Sequence, residues 1–121
     1  MNVEIIPCST TMGALVRGVD LGQPIELELA ERLLAAWYEN VLLVFRDQEM
    51  DNKRLKNSAA WLGETSQISM PTDRRGDDDI EIQNVSNILD EAGEPIGALG
   101  DGEMWFHHDN SFTVTPDKAT W

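Results

Sequence analysis

The sequence predicts an α+β fold, and three observations carry that prediction. Residues 27–40 and the run after Asp51 space their apolar side chains at helical intervals. Residues 3–6 and 41–45 are short runs rich in β-branched and apolar residues, as strands are. Pro, Gly, Asp and Asn punctuate the chain between the two kinds of segment.

In chain order, residues 3–6 form a first strand that Pro7 stops, because proline cannot donate to a sheet ladder. Residues 14–19 form a second strand, closed by the turn residues of 20–24. In the helix over 27–40, Ala30, Leu33, Leu34 and Trp37 fall at i, i+3, i+4 and i+7 and make one apolar face. Glu26, Glu28 and Glu31 suit the positive end of its dipole. Asn40 is placed to take the left-handed C-terminal conformation. The unbroken apolar run 41–45 reads as a strand buried on both faces, ended by Arg46-Asp47-Gln48. Asp51 is an N-cap, Leu55, Ala59 and Leu62 line one side of the second helix, and Gly63 closes it. Trp37 and Trp61 are expected in the core.

Residues 65–79 lack periodicity and read as a long loop, a length that suits a lid or binding loop. Strand character returns over 80–88, residues 90–97 form a turn between two strands, and Gly100-Asp101-Gly102 bends the chain again. After the turn Thr115-Pro116-Asp117, residues 118–121 open a further strand. The chain stops inside that element, so residues 1–121 are expected to be a single partial domain whose C-terminal part is absent.

With 121 residues, the chain makes at most one small domain. Its 22 acidic and 9 basic residues give a net charge of −13, which repels phosphates and argues against nucleic acid and anionic membrane as partners. Residues 73–79 and 90–94 carry much of the excess as solvated loop. A lone cysteine, Cys8, allows no intrachain disulfide and fits a reducing, cytoplasmic location. The N-terminal residues show neither the basic region of a signal peptide nor an apolar span.

Both histidines sit together in Trp105-Phe106-His107-His108-Asp109-Asn110-Ser111-Phe112. In an extended segment alternate side chains share a face, so His107 and Asp109 aim one way and His108 the other. His107 and Asp109 are therefore the candidate metal ligands. A second histidine from a neighbouring strand would complete a two-His, one-carboxylate triad on non-haem Fe(II), but this chain has no third histidine. Zinc, which accepts the same donors, is the competing metal. Ser111 has no Gly-x-Ser-x-Gly elbow around it, and no phosphate-binding Gly-rich loop or Cys-x-x-Cys pair is present.

Several segments together resemble the TauD/TfdA family of Fe(II)/2-oxoglutarate-dependent dioxygenases. Gly13-Ala14-Leu15-Val16-Arg17-Gly18-Val19-Asp20-Leu21 resembles the family's GA-x-I-x-G-x-DL segment. Residues 41–48, ending Phe45-Arg46-Asp47-Gln48, are similar to its vlvFRdQ strand. Leu62-Gly63-Glu64 and Val85-Ser86-Asn87-Ile88 resemble the helix ending and the strand that follow. Residues 100–112 resemble its metal motif, and Pro116 with Lys118-Ala119-Thr120 its P-x-x-a-t lead into the next core strand.

The resemblance implies the N-terminal part of a double-stranded β-helix, or jelly roll, with two packing helices. It implies Fe(II) as the metal, with His107 and Asp109 as two of its ligands. 2-Oxoglutarate would be co-substrate with O2, and a small, carboxylate- or sulfonate-bearing substrate would be hydroxylated with release of succinate and CO2. The third ligand and the 2-oxoglutarate-binding arginine are expected downstream of Trp121. No catalytic residue is expected here beyond the metal ligands, and these 121 residues alone are expected to be inactive. By the same resemblance Asn87, Leu99 and Gly100 border the substrate pocket. Homo-oligomerisation is compatible with the sequence, which does not identify the substrate. Two readings stay open beside this one. One is a small non-catalytic metal-binding or interaction module that keeps only His107 and Asp109. The other is a zinc hydrolase using His107, His108 and Asp109.

Overall fold

A computed structural model describes residues 2–67, 81–99, 102–103 and 105–121. These fall into two compact units, Met1–Glu64 and Thr65–Trp121. The first contains β1 (Glu4–Pro7), β2 (Ala14–Arg17), α1 (Leu27–Asn40), β3 (Leu43–Phe45) and α2 (Asn52–Ala59). The second contains β4 (Val85–Ser86) and β5 (Ala98–Leu99). Strands and helices are both present, as expected of an α+β chain, and the sheet of the first unit is mixed. β1 and β2 pair antiparallel, and β2 and β3 pair parallel through the α1 crossover. No helix among the described residues is long and apolar enough to cross a membrane.

Helix α1 has the predicted bounds, because its apolar stripe and the turn residues before it are local signals. Ala30, Leu33 and Ala36 are its buried residues, while Leu34 and Trp37 are half-buried, so the stripe lies slightly round from the predicted one. The helix lies against β2 and β3. Its C-terminus corrects the sequence reading. Val41, not Asn40, takes the positive φ, 68°. Three contacts explain this. The Val41 N–H donates to the Trp37 carbonyl at 2.6 Å, the Trp37 indole donates to the Val41 carbonyl at 2.8 Å, and the Asn40 amide donates back to the Ala36 carbonyl at 2.9 Å. A β-branched residue at this angle is strained, and the paired Trp37 bonds hold it there.

The strand after α1 is also corrected. It begins at Leu43 rather than Val41, and its three residues are half-buried instead of buried on both faces. The sheet order β1-β2-β3 explains the difference, since β3 is an edge and β2 is the centre. Accordingly β2 carries the buried Ala14 and Val16. Trp37 and Trp61, expected in the core, are half-buried.

Asp51 caps α2 as predicted, its carboxylate accepting the Arg54 N–H at 2.7 Å. The helix ends at Ala59 with Ala60 still right-handed, so Gly63 follows a turn rather than closing the helix directly. Between β3 and α2, Gln48 binds two separate loops. Its Oε1 accepts the Leu21 N–H at 2.8 Å, and its Nε2 donates to the carbonyls of Val19 at 3.1 Å and Arg46 at 2.9 Å. Only an amide both accepts and donates in this way, which gives the Phe45-Arg46-Asp47-Gln48 segment a structural reason. Gly18 lies at φ +76°, where a Cβ would come within 2.4 Å of the Asn2 carbonyl oxygen, so the GA-x-I-x-G pattern also has a steric one.

The second unit departs further from expectation. Strand character predicted over 80–88 shrinks to β4, with Ile80 outside the described residues, as are 68–79, Gly100 and Asp101. The predicted turn at 90–97 is present. Asp90 Oδ1 accepts the N–H groups of Ala92 at 2.8 Å and Glu94 at 2.9 Å, and Leu89 bridges Pro95. β5 then pairs with β4 in parallel. Gly97 permits that approach, since a Cβ there would lie 2.7 Å from the Ser86 nitrogen. Residues 118–121 form no strand. All the buried apolar side chains among the described residues (Ala14, Val16, Leu21, Ala30, Leu33, Ala36 and Ala59) belong to the first unit. The described part of the second unit is therefore held by hydrogen bonds rather than by a core.

Candidate metal centre

The stretch from Trp105 to Phe112 was expected to be extended, and its second half, from Asp109 to Phe112, instead forms a turn. Asn110 adopts φ 49°, its carbonyl accepts the Thr113 N–H at 3.0 Å, and its side-chain amide donates to Asp117. Asparagine tolerates the left-handed region better than most residues, so it is the residue that reverses the chain here. The predicted ligands nonetheless come together. His107 Nε2 lies 3.1 Å from Asp109 Oδ1.

Each candidate ligand has a second contact on its far side. His107 Nδ1 lies 2.8 Å from the Trp105 carbonyl. A carbonyl only accepts, so Nδ1 carries the proton and Nε2 is the nitrogen whose lone pair a metal can use. The Thr120 hydroxyl donates to Asp109 Oδ2 at 2.7 Å and leaves Oδ1 toward His107. One imidazole nitrogen and one carboxylate oxygen, side by side and each braced from behind, are a donor set that suits Fe(II) or Zn(II). Among the described residues these two donors are what the cleft supplies. Among the described residues no group of three His, Cys, Asp or Glu could hold a metal ion. His108 lines the same cleft, but its Nδ1 lies 2.9 Å from the Asp109 carbonyl oxygen, and it does not join the pair. That arrangement gives no support to the three-ligand zinc reading.

The cleft is open, about 320 Å³, and lined by His107, His108, Asp109, Asp117, Lys118, Ala119 and Thr120. The side chains of His107 and Asp109 are 50% and 48% exposed, so solvent reaches both. Close by in sequence, Trp105, Phe106, Phe112 and Val114 are exposed apolar side chains. Of the residues predicted to border a substrate, Asn87 is exposed just after β4, and Leu99 pairs in register with Ser86. Asn87 does not line this cleft, and Gly100 lies outside the described residues. Sequence reasoning missed Thr120 as a partner of Asp109, since nothing in its spacing marks it.

The pair is electrostatically matched. The bond to the Trp105 carbonyl raises the His107 pKa; desolvation opposes it, and the Asp109 carboxylate adds to the rise. The Thr120 hydroxyl, and then His107, lower that of Asp109. The charged ring's favourable contacts are thus fully present below its unfolded pKa and are lost as pH rises through the raised native value. The carboxylate's are present above its unfolded pKa and are lost as pH falls through the lowered native value. The ion pair occupies the window between the two native values, and a metal competes with the Nε2 proton most easily above the upper one. An NMR titration of the two imidazoles is expected to give His107 a pKa above the ordinary histidine value, moved part of the way back by Asp109→Asn. An unshifted His107, or one insensitive to that substitution, would contradict the pairing.

Comparison with known proteins adds to this geometry. The Taurine catabolism dioxygenase TauD, TfdA family matches residues 4–121. Pentalenolactone F synthase of Streptomyces avermitilis is 35% identical over 114 residues, covering 93% of this chain and 36% of that protein. The structure of AAD-2 in complex with Mn(II) and N-oxalylglycine is similar with a TM-score of 0.52 and 26% identity, over 55% of this chain and 24% of that one. A taurine dioxygenase from Burkholderia xenovorans gives a TM-score of 0.53 at 24% identity, over 55% of this chain and 25% of that one, a likeness of fold. The chain spans about a third of the length of the curated relative (36%) and about a quarter of the solved structures (24% and 25%).

Proposed function

Since this chain belongs to the TauD/TfdA family of Fe(II)/2-oxoglutarate-dependent dioxygenases, we propose that it contributes two iron ligands, His107 and Asp109, to such an enzyme. The full catalytic domain would be a jelly roll, of which residues 1–121 form one partial domain. The reaction is hydroxylation of a small, carboxylate- or sulfonate-bearing substrate. One atom of O2 enters the substrate, and the other enters the succinate formed from 2-oxoglutarate as CO2 leaves.

The observation that carries this reading is the braced pair, His107 Nε2 to Asp109 Oδ1 at 3.1 Å, within a segment that the family matches. When bound, Fe(II) supplies open positions at which O2 and a chelating 2-oxo acid react. This chain's residues hold and orient. Trp105 fixes the ring of His107 and Thr120 the carboxylate of Asp109. Lys118 places a cation in the lining of the same cleft, a group suited to an anionic ligand. The relative solved with Mn(II) and N-oxalylglycine holds a molecule with the skeleton of 2-oxoglutarate in which one methylene is replaced by NH. Asn87, Leu99 and Gly100 remain the residues proposed to border the substrate, and the cytoplasm the proposed location.

With two histidines in all and two clustered donors among the described residues, these 121 residues are expected to turn over no 2-oxoglutarate. Succinate release should not exceed that of an Fe(II), ascorbate and 2-oxoglutarate blank. A longer protein containing this sequence is expected to form succinate in equal amount to CO2. Turnover by the 121-residue chain alone would overturn the proposed division of ligands, and a longer protein inert toward 2-oxoglutarate would overturn the assigned reaction.

A further inference from the structure

We propose that Thr120 is a positioning residue that selects which oxygen of Asp109 faces the metal. The inference rests on the reading of His107 and Asp109 as ligands and extends it to a side chain with no ligand role of its own. A carboxylate turns easily about its terminal torsion, which is broad and roughly two-fold. Asp109 is half exposed, and no described side chain of the second unit is a buried apolar one that could wall it in. Its orientation therefore depends on hydrogen bonds.

Two such bonds act on it. The Thr120 hydroxyl donates to Oδ2 at 2.7 Å, and His107 Nε2 stands 3.1 Å from Oδ1. The bond to His107 gives way when a metal takes Nε2. The bond from Thr120 does not, because it lies on the oxygen turned away from His107. Thr120 is itself held near Asp109 by a closed loop. Asn110 donates to Asp117, and the Thr113 hydroxyl lies 2.8 Å from the Asn110 carbonyl and 2.9 Å from that of Thr115. The loop from Asp109 to Thr120 is thus tied within itself and presents the hydroxyl to the carboxylate. Partners of this kind behind a ligand raise metal affinity by orienting it.

The test is a Co(II) titration of the whole chain, followed by the paramagnetic shift of the His107 ring signals. Co(II) lies just above Fe(II) in the affinity order for such donors. The local signal separates this site from metal held loosely on the acidic surface. Thr120→Val keeps the shape and removes the hydroxyl; Thr120→Ser keeps the hydroxyl. The Val variant is expected to bind about ten- to a hundredfold more weakly, and the Ser variant to return close to the original affinity. Amide spectra unchanged outside 105–121 would show that folding is intact. If Thr120→Val binds as the original does while His107→Ala abolishes the shift, the site stands and the positioning role is overturned. Equal losses in the Val and Ser variants would overturn it too, by showing that the hydroxyl is not what matters. If Co(II) never shifts the His107 ring, the metal site itself fails and takes the role of Thr120 with it.

Discussion

His107→Ala is expected to abolish the metal binding proposed for this chain, with a loss of at least about a hundredfold in Co(II) affinity, since loss of a mere supporting contact already costs roughly ten- to a hundredfold. The size of the effect follows from the donor set. His107 and Asp109 are the two clustered donors, and among the described residues no third His, Cys, Asp or Glu could take over. A single carboxylate that is 48% exposed does not hold a divalent ion against water. Asp109→Ala is expected to have a comparable effect. His108→Ala is the informative control. That ring lies in the same cleft, but its Nδ1 is turned to the Asp109 carbonyl, so its removal should change affinity by no more than about threefold, far less than loss of a ligand. Calorimetry together with the paramagnetic shifts checks all three variants. Loss of binding in His108→Ala equal to that in His107→Ala would revive the three-ligand zinc arrangement.

Leu33→Ala is expected to destabilise the chain by about 2–5 kcal/mol, the range for removing a buried leucine side chain. Leu33 is fully buried at the centre of the α1 stripe. The rest of the buried apolar set is Ala14, Val16, Leu21, Ala30, Ala36 and Ala59, in which alanines predominate. Small side chains cannot shift far enough to fill the space a leucine leaves, so the cavity should persist. A unit the size of residues 1–64 is stabilised by only about 3–10 kcal/mol, so the loss is a large share of the total. Urea unfolding followed by far-ultraviolet circular dichroism should show a midpoint shifted down or no folded baseline. Leu27→Ala, at a position 75% exposed, should shift stability by less than about 0.5 kcal/mol. If the two variants behaved alike, Leu33 would not be the centre of the core.

The same contrast separates what was legible in the residues from what was not. Helix α1 ran to its predicted bounds, and Asp51 capped α2 as read, because both depend on neighbours within a turn or two. The family was legible too, since its segments follow one another in the expected order along residues 4–121. That His107 and Asp109 lie side by side was readable, but the reason offered for it was not the one that operates. Strand alternation was expected to place His107 and Asp109 on one face. Instead a turn begins at Asp109 with Asn110 at φ 49°, and side-chain bonds bring the pair together.

By itself the sequence determined the α+β class, the helices and the cap, and it singled out His107 and Asp109 as the proposed ligand pair. These rest on periodicity, capping chemistry and residue type, all of which act over a few neighbouring positions. Only the tertiary structure decided the rest. It put β3 at a sheet edge, where the run 41–45 could not be buried on both faces. It gave the positive φ to Val41, because Trp37 binds both its N–H and its carbonyl. It set Thr120 behind Asp109 across eleven positions of chain. Whether a strand is central and which hydroxyl meets a carboxylate depend on partners distant in sequence, and those partners are chosen by folding. The strained Val41 instead rests on bonds within one turn of α1, from Trp37 and Asn40, whose side-chain geometry the spacing of residues does not specify.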